Sequence, residues 1–316
     1  HNPGEYILPD VVLDFRNVVL EENYGGKNRV LVTGAKGRPP TPFYKISSTY
    51  FDGYWIAAEL VITGFDAKRK ALAVGKAILG RSRKLLAAKK QDDFLATNLE
   101  VLGAEHTYGE RALVTPREVV LRISVSHSSP AGIKIFGKEV APSALAMAPG
   151  ITGAGSGRPR PAPFVRHFGA LIPKELVPIS VLVGADFKDT QVYTPPEVTE
   201  EGEFEVIPLP RMSSVNLNVR LTKVPLIQIC FGRSGDKGDV ANIGIIAREE
   251  RFYPWLCYNL TAERVHDFFK HFVKGTTTRY EMPGIRALNF VLTQSLGGGG
   301  LSSLNIDRQG KSYAQN

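Results

Sequence analysis

The sequence predicts an α+β fold in two parts, the second a compact sandwich with helices on one face. Three observations lead there. At 316 residues the chain exceeds one ordinary domain and suits two. Strand-like runs alternate with one or two helical stretches. An acidic, Pro-rich stretch at 186–210, with Pro195, Pro196, Pro208, Pro210 and five glutamates, interrupts that pattern, which then restarts. The parts are therefore set at 1–185 and 223–316, with a linker at 186–222.

In chain order, 11–20 (VVLDFRNVVL) reads as a strand, 23–28 as a turn and 29–33 as the returning strand of a hairpin. Pro39, Pro40 and Pro42 make 37–42 a rigid loop. Residues 43–50 and 54–63 read as a strand pair about a turn at Asp52-Gly53. Asp66 reads as the N-cap of a helix over 67–86. Residues 94–102 and 118–126 read as strands. The Ala-rich 138–148 reads as a helix with Pro142 in its first turn. A Gly/Pro-rich stretch covers 149–163, and 179–183 is strand-like. After the linker come a strand at 225–230, a loop at 231–239 and an apolar run at 240–247. Then follow a helix over 261–272 capped by Thr261, a strand at 286–292, a break at 297–300 and a last strand at 303–307.

Composition removes several function classes. Apolar residues make up 43% and charged residues 22%, which is globular rather than disordered. The net charge is +8, and its basic residues are scattered. Lys68, Arg69, Arg81, Lys89 and Lys90 give the 67–86 helix and its end a basic outer face, read either as a solvated surface or as a contact for nucleic acid or anionic lipid. No zinc-finger spacing, aromatic RNA-binding pattern or heptad array accompanies it, so nucleic acid is set aside as a partner. Two cysteines, Cys230 and Cys257, exclude a disulfide framework and point to a reducing, cytoplasmic home. No apolar run approaches the roughly 20 residues that span a bilayer, so no membrane role is expected. The opening His1-Asn2-Pro3-Gly4 lacks an initiator Met and leads into strand-like sequence, so the chain reads as a fragment.

The densest chemistry lies at 233–242. Arg233, Ser234, Gly235, Asp236, Lys237, Gly238 and Asp239 follow one another, and Asn242 comes shortly after. Closely spaced glycines let backbone N–H groups approach an anion. Arg233 can grip a carboxylate or phosphate with a forked hydrogen bond, and Lys237 adds a mobile charge. Asp236, beside a cation, suits a general acid or base. Ser234 is a donor rather than a nucleophile, because no histidine lies near it in sequence. The same residues also make a polar surface turn. Neither a Walker A ending nor the spaced oxygens of an EF-hand is present.

The run from Arg233 to Gly244, with Ala247-Arg248, resembles the signature of the ferredoxin-like C-terminal domain of the acyclic terpene utilisation protein A family, AtuA. Thr261 to Val265, Tyr280 to Pro283, Ala287 to Leu292 and the glycines 297–300 fit the same domain. Upstream, Tyr6 to Val11, Val32 to Pro40, Val101 to Glu105, Pro142 to Gly153 and Gly157 to Pro159 resemble the closing part of that family's larger domain. The resemblance implies the remnant of a larger α/β-type domain, then a small ferredoxin-like sandwich. It also implies an association with bacterial breakdown of citronellol- and geraniol-type terpenes through acyl-CoA intermediates.

Four other features are candidates. The glycines at 297–300, including Gly298 and Gly299, read as a flexible turn unless they meet the 233–242 segment in space. Residues 153–160 (GAGSGRPR) have the look of a phosphate loop, but Pro159 and Pro161 favour a rigid connection from which Arg158 could steer an anion. His106, His127 and His167 are isolated, and His266 and His271 stand five apart on a helix, a poor metal pair. Asn289, on an apolar strand, is either a buried hydrogen-bond partner or a site residue.

The expected function is that of an enzyme, or part of one, acting on a carboxylate or CoA-thioester of branched-chain or isoprenoid catabolism. Arg233, Lys237 and backbone N–H groups of 235–238 would bind the anion. Asp236 or Asp239 would move a proton, and Asn242 would orient the substrate. No cofactor or metal is expected. The other reading is a non-catalytic module that docks on partner acyl-CoA enzymes. Unpaired edge strands add self-association as an expectation.

Overall fold

A computed structural model describes residues 2–153, 157–183, 189–193 and 222–316, and it is α+β as expected. Contacts divide it into two compact units. One comprises 1–48, 168–234 and 242–293, the other 49–167, 235–241 and 294–316.

The strands of the first two-thirds of the chain are short at the start. They are β1 (Tyr6–Ile7), β2 (Val12–Asp14), β3 (Val19–Glu21), β4 (Leu31–Thr33) and β5 (Lys36–Arg38). Next come the long β6 (Phe43–Thr63), α1 (Ala67–Ala88), β7 (Ala96–Leu102), β8 (Glu118–His127), α2 (Pro130–Ala146), β9 (Ile151–Gly153), β10 (Ala162–Pro173), β11 (Ile179–Val183) and β12 (Asp189–Tyr193). The remainder holds β13 (Cys230–Lys237), β14 (Val240–Ala247), α3 (Tyr253–Asn259), α4 (Ala262–Phe269), β15 (Thr277–Met282), β16 (Ala287–Leu292) and the single turn α5 (Gly299–Ser302).

The second unit is built on a sheet ordered β10-β6-β8-β7, with β9 also on β6. Period-two alternation gives it one apolar face: Ile56, Ala58, Leu60 and Ile62 of β6 with Val119, Leu121, Ile123 and Val125 of β8 are all buried. Helix α1 covers that face with Ala67, Ala71, Val74, Ile78 and Leu86, the three- and four-residue spacing of a buried stripe. The opposite face of β7 and β8 is polar yet also buried. Glu100 lies directly across from Arg122, and both are under 5% exposed. Arg122 Nη1 donates to Glu100 Oε2 and to the Leu304 carbonyl, each at 2.6 Å. Ile306 N donates to both Glu100 oxygens at 3.0 Å. Asn98 Nδ2 donates to Asn305 Oδ1 at 3.1 Å, and Asn316 Nδ2 to the Thr107 carbonyl at the same distance. An ion pair thus holds an irregular C-terminal segment on the sheet.

The first unit contains the small sheets β1-β2-β5 and β3-β4, and β11 paired with β12. It also holds most of a four-stranded sheet ordered β13-β14-β16-β15, with α3 and α4. Thr261 caps α4 as expected, its Oγ1 accepting from Arg264 N at 3.2 Å.

Several expectations are corrected. The turn at Asp52-Gly53 is absent: β6 runs straight through. Gly53, at φ +92°, lets the strand pass the His127 carbonyl, which a Cβ would meet at 2.7 Å. Asp66 is the N-cap residue of α1 as expected, but at φ +58° it makes no side-chain cap bond and pairs with Arg69 at 2.8 Å instead. Helix α2 begins at Pro130 behind the Ser129 cap, whose Oγ accepts from Ala131 N, so Pro142 lies inside it. The 225–230 strand is a 3-10 turn at Leu226–Gln228, while most of the expected 231–239 loop is strand β13. Residues 303–307 form no strand. The linker at 186–222 lies largely outside the described residues, but β12 falls within it.

Glu100→Ala leaves a buried guanidinium without its partner and should cost about 3–5 kcal/mol in denaturant unfolding. It should also speed amide exchange at Ile306. Unchanged protection at Ile306 would contradict the anchoring role.

Candidate functional site

The signature segment is a hairpin tip. Strand β13 carries it as far as Lys237, Gly238 (φ +63°) and Asp239 turn the chain, and β14 leads away. Alternation along β13 buries Cys230 and Ser234 and leaves Phe231, Arg233 and Lys237 exposed. Asp236 lies on the Ser234 face, half-buried. The strand thus turns Arg233 and Lys237 away from the carboxylate they were expected to join. Lys237 Nζ instead donates to the Asp236 carbonyl at 3.1 Å.

The two glycine-rich segments meet. Gly297, Gly298 and Gly299 take φ values of +65°, +105° and +81°, a left-handed run that only glycine tolerates readily. A Cβ on Gly299 would stand 2.2 Å from the Gly238 carbonyl oxygen. Asp239 stitches the two together. Its Oδ1 accepts from Leu296 N at 3.0 Å and Gly298 N at 2.8 Å, and its carbonyl accepts from Ser295 N at 3.1 Å. Ser295 Oγ returns a bond, accepting from Ala241 N at 3.1 Å. Asp239 is therefore a positioning residue, its carboxylate engaged by backbone donors.

The side chain of Asn242 is likewise spent inside the sheet. Its Nδ2 donates to Asn289 Oδ1 and, at 3.2 Å, to the Phe290 carbonyl. Asn289 is thus a hydrogen-bond partner within the β14–β16 pair. Arg233, Ser234, Asn242 and Asn289 belong to the first unit. Gly235 to Asp239, with Gly298 and Gly299, belong to the second.

Two residues that the sequence did not mark stand at the tip. Lys311 Nζ lies 3.1 Å from where a Gly235 Cβ would be. A Cβ at Gly300 would meet Asp236 Oδ2 at 3.7 Å and Gln309 Cγ at 3.8 Å. Lys311 therefore lies against Gly235, and Asp236 and Gln309 lie beside Gly300. Lys311 comes from a turn built on Asp307, which accepts from Lys311 N at 2.9 Å, Ser312 N at 2.8 Å and Ser312 Oγ at 2.7 Å. Burial opposes the charge of Asp307, but these donors outweigh it and hold the carboxyl below its ordinary 3.8. Tyr313 closes the turn, donating to the Ser295 carbonyl at 2.6 Å. Burial, then the charges of Asp307 and Asp239, push its phenol well above the ordinary range.

Other chemistry is less favoured. Burial pushes the Cys230 and Cys257 thiols up, away from nucleophilic character. Among the described residues no group of three or more His, Cys, Asp or Glu is placed to share a metal ion. His127 is structural: its Nδ1 accepts from Ser129 N at 2.8 Å, and Nε2 reaches the Asp92 carbonyl at 2.9 Å. Among the described residues no helix is long and apolar enough to cross a membrane.

Residues 1–183 match the family model of the acyclic terpene utilisation family protein AtuA, and residues 224–316 match that of the AtuA ferredoxin-like domain. No curated protein and no solved structure matches the chain.

Two predictions follow from the tip geometry. Asp239→Ala and Gly299→Ala should each free the glycine segment, raising amide exchange at Leu296 and Gly298 at least tenfold; exchange at the wild-type rate in both would refute the stitching. Asp307, with a depressed carboxyl, contributes stability that is fully present above pH 3.8 and lost as pH falls through its folded value. Asp307→Asn should therefore flatten the acid limb of the stability curve below pH 3.8, and an unaltered limb would remove Asp307 from that account.

Proposed function

We propose that this chain, which belongs to the acyclic terpene utilisation family AtuA, binds the carboxylate or CoA-thioester end of an acyclic, branched-chain substrate at the hairpin tip. Family membership supports a role in acyclic terpene utilisation. The finer reading rests on one observation: at the tip a carboxylate, Asp236, lies beside Gly300 and an ammonium, Lys311, lies against Gly235. Glycine there lets ligand oxygens reach the backbone, and the Lys311 ammonium supplies the opposite charge. In a thioester the carbonyl oxygen gains negative charge as an adjacent C–H gives up its proton. Asp236 is the base for that proton, and Lys311 with the backbone N–H groups steadies the resulting enolate. Arg233 and Lys237, on the outer strand face, steer the anion inward rather than hold it. The proposed place of action is the cytoplasm, where acyl-CoA intermediates are handled.

A second reading has its own support. Phe231 is 52% exposed on β13, with the Arg248 guanidinium 3.7 Å above its ring. Arg248 Nε also donates to the carbonyl of exposed Ile227 at 2.7 Å. A rigid aromatic–Arg pair beside an aliphatic side chain suits a surface that docks on a partner acyl-CoA enzyme.

Calorimetric titration with acyl-CoAs, free CoA and branched carboxylic acids decides between them. Binding should weaken about tenfold, roughly 1.4 kcal/mol, in Lys311→Ala. Asp236→Ala should retain binding but lose any turnover, and Lys237→Ala should chiefly flatten the loss of affinity with salt. Wild-type affinity in Lys311→Ala would remove the anion from the tip. No binding by any ligand to the folded chain would favour the docking surface.

A further inference from the structure

We infer that a cavity between α2 and the 157–161 segment is a site for a diphosphate-bearing small molecule. This inference stands apart from the hairpin reading, because it rests on different residues. The cavity holds about 410 Å³, the size range of small-ligand sites. Four of its lining residues are cations: Lys134, Lys138, Arg158 and Arg160. None of its lining residues is acidic, and among the described residues no hydrogen bond or ion pair occupies the four. The nearest carboxylate in sequence, Glu139, is held by Arg81 at 2.5 Å.

The local chemistry keeps these charges together. Lys134 and Lys138 stand four apart on α2, so they share one face and repel each other. That cost is recovered when an anion lies between them. Arg158 and Arg160 each precede a proline, which bars both from helical backbone and keeps the segment extended. Gly137 brings the helix close: a Cβ there would meet Ile56 Cδ1 at 3.3 Å and the Pro159 carbonyl at 3.6 Å. Two forked guanidinium donors and two ammonium point charges then face one space. A single carboxylate would satisfy few of these donors. A diphosphate, with charge spread over two linked phosphoryl groups, matches their number.

The test titrates the full chain calorimetrically with inorganic pyrophosphate, orthophosphate and ADP at fixed ionic strength. Pyrophosphate should bind with one equivalent per chain and at least tenfold more tightly than orthophosphate. The pairs Arg158→Gln/Arg160→Gln and Lys134→Gln/Lys138→Gln should each weaken it at least tenfold, with melting curves confirming that both remain folded. Lys89→Gln/Lys90→Gln, at the end of α1, removes the same charge elsewhere and should leave it unchanged. Lys311→Ala should also bind pyrophosphate normally, which separates this site from the hairpin tip. ADP binding as tightly as pyrophosphate would assign the diphosphate to a nucleoside carrier; weaker ADP binding would assign it to free pyrophosphate. Equal affinity for pyrophosphate and orthophosphate, or an equal loss in the Lys89/Lys90 variant, would overturn the proposal in favour of general charge attraction.

Discussion

The contact between Glu100 and Arg122 governs the second unit. Taking both charges out of water is costly, and their attraction repays that cost only when the remaining donors and acceptors are also satisfied. Here they are met by the C-terminal segment, through the Leu304 carbonyl and the Ile306 amide. Arg122 also has Glu59 of β6 at 3.7 Å on its other side. The pair is therefore complete only when the segment is seated, and the segment has no ladder of its own to hold it. Everything built on that segment inherits the dependence: the Gly297–Gly299 run, the Asp307 turn and Lys311. A little further along, Arg308 stacks at 4.2 Å on Trp55, and burial followed by repulsion from Arg122 lowers its proton affinity.

Much of this architecture is legible in the sequence because it rests on periodicity. The alternating β7 and β8, the apolar stripe of α1 and the Thr261 cap of α4 need no distant partner to be recognised. The misreadings share a cause. Gly, Ser and Asp at high density in 231–239 signal a turn by their local backbone chemistry, yet β14 supplies a hydrogen-bonding neighbour that draws those residues into a strand. Gly53 resembles a turn residue until the His127 carbonyl is seen to need its empty side. Conversely, 303–307 reads as a strand by composition, but its backbone groups go to side chains of the sheet instead.

The candidate site divides along the same line. The position of the tip was legible from its residue types, whereas the roles within it were not. Asp236 and Asp239 are equivalent in sequence, and only the Leu296 and Gly298 amides mark Asp239 as the one that holds the loop. Asn242 and Asn289 looked like separate candidates and turn out to be one hydrogen-bonded pair. Lys311 had no signal at all, since it reaches Gly235 only through the fold.

The interleaving of the units bears on how the chain is made. The sheet that carries Glu100 and Arg122 is complete in sequence by residue 173, but the segment that finishes it begins at residue 294. At roughly 5–20 residues per second, a ribosome delivers that segment on the order of ten seconds later. During the interval the nascent sheet presents a guanidinium, a carboxylate and two serines on a face that will later be dry, so water must solvate them while synthesis continues. A polar face tolerates that wait better than an apolar one, which would invite chaperones or neighbouring chains to cover it. The charges that look expensive in the finished protein thus protect it while it is still unfinished.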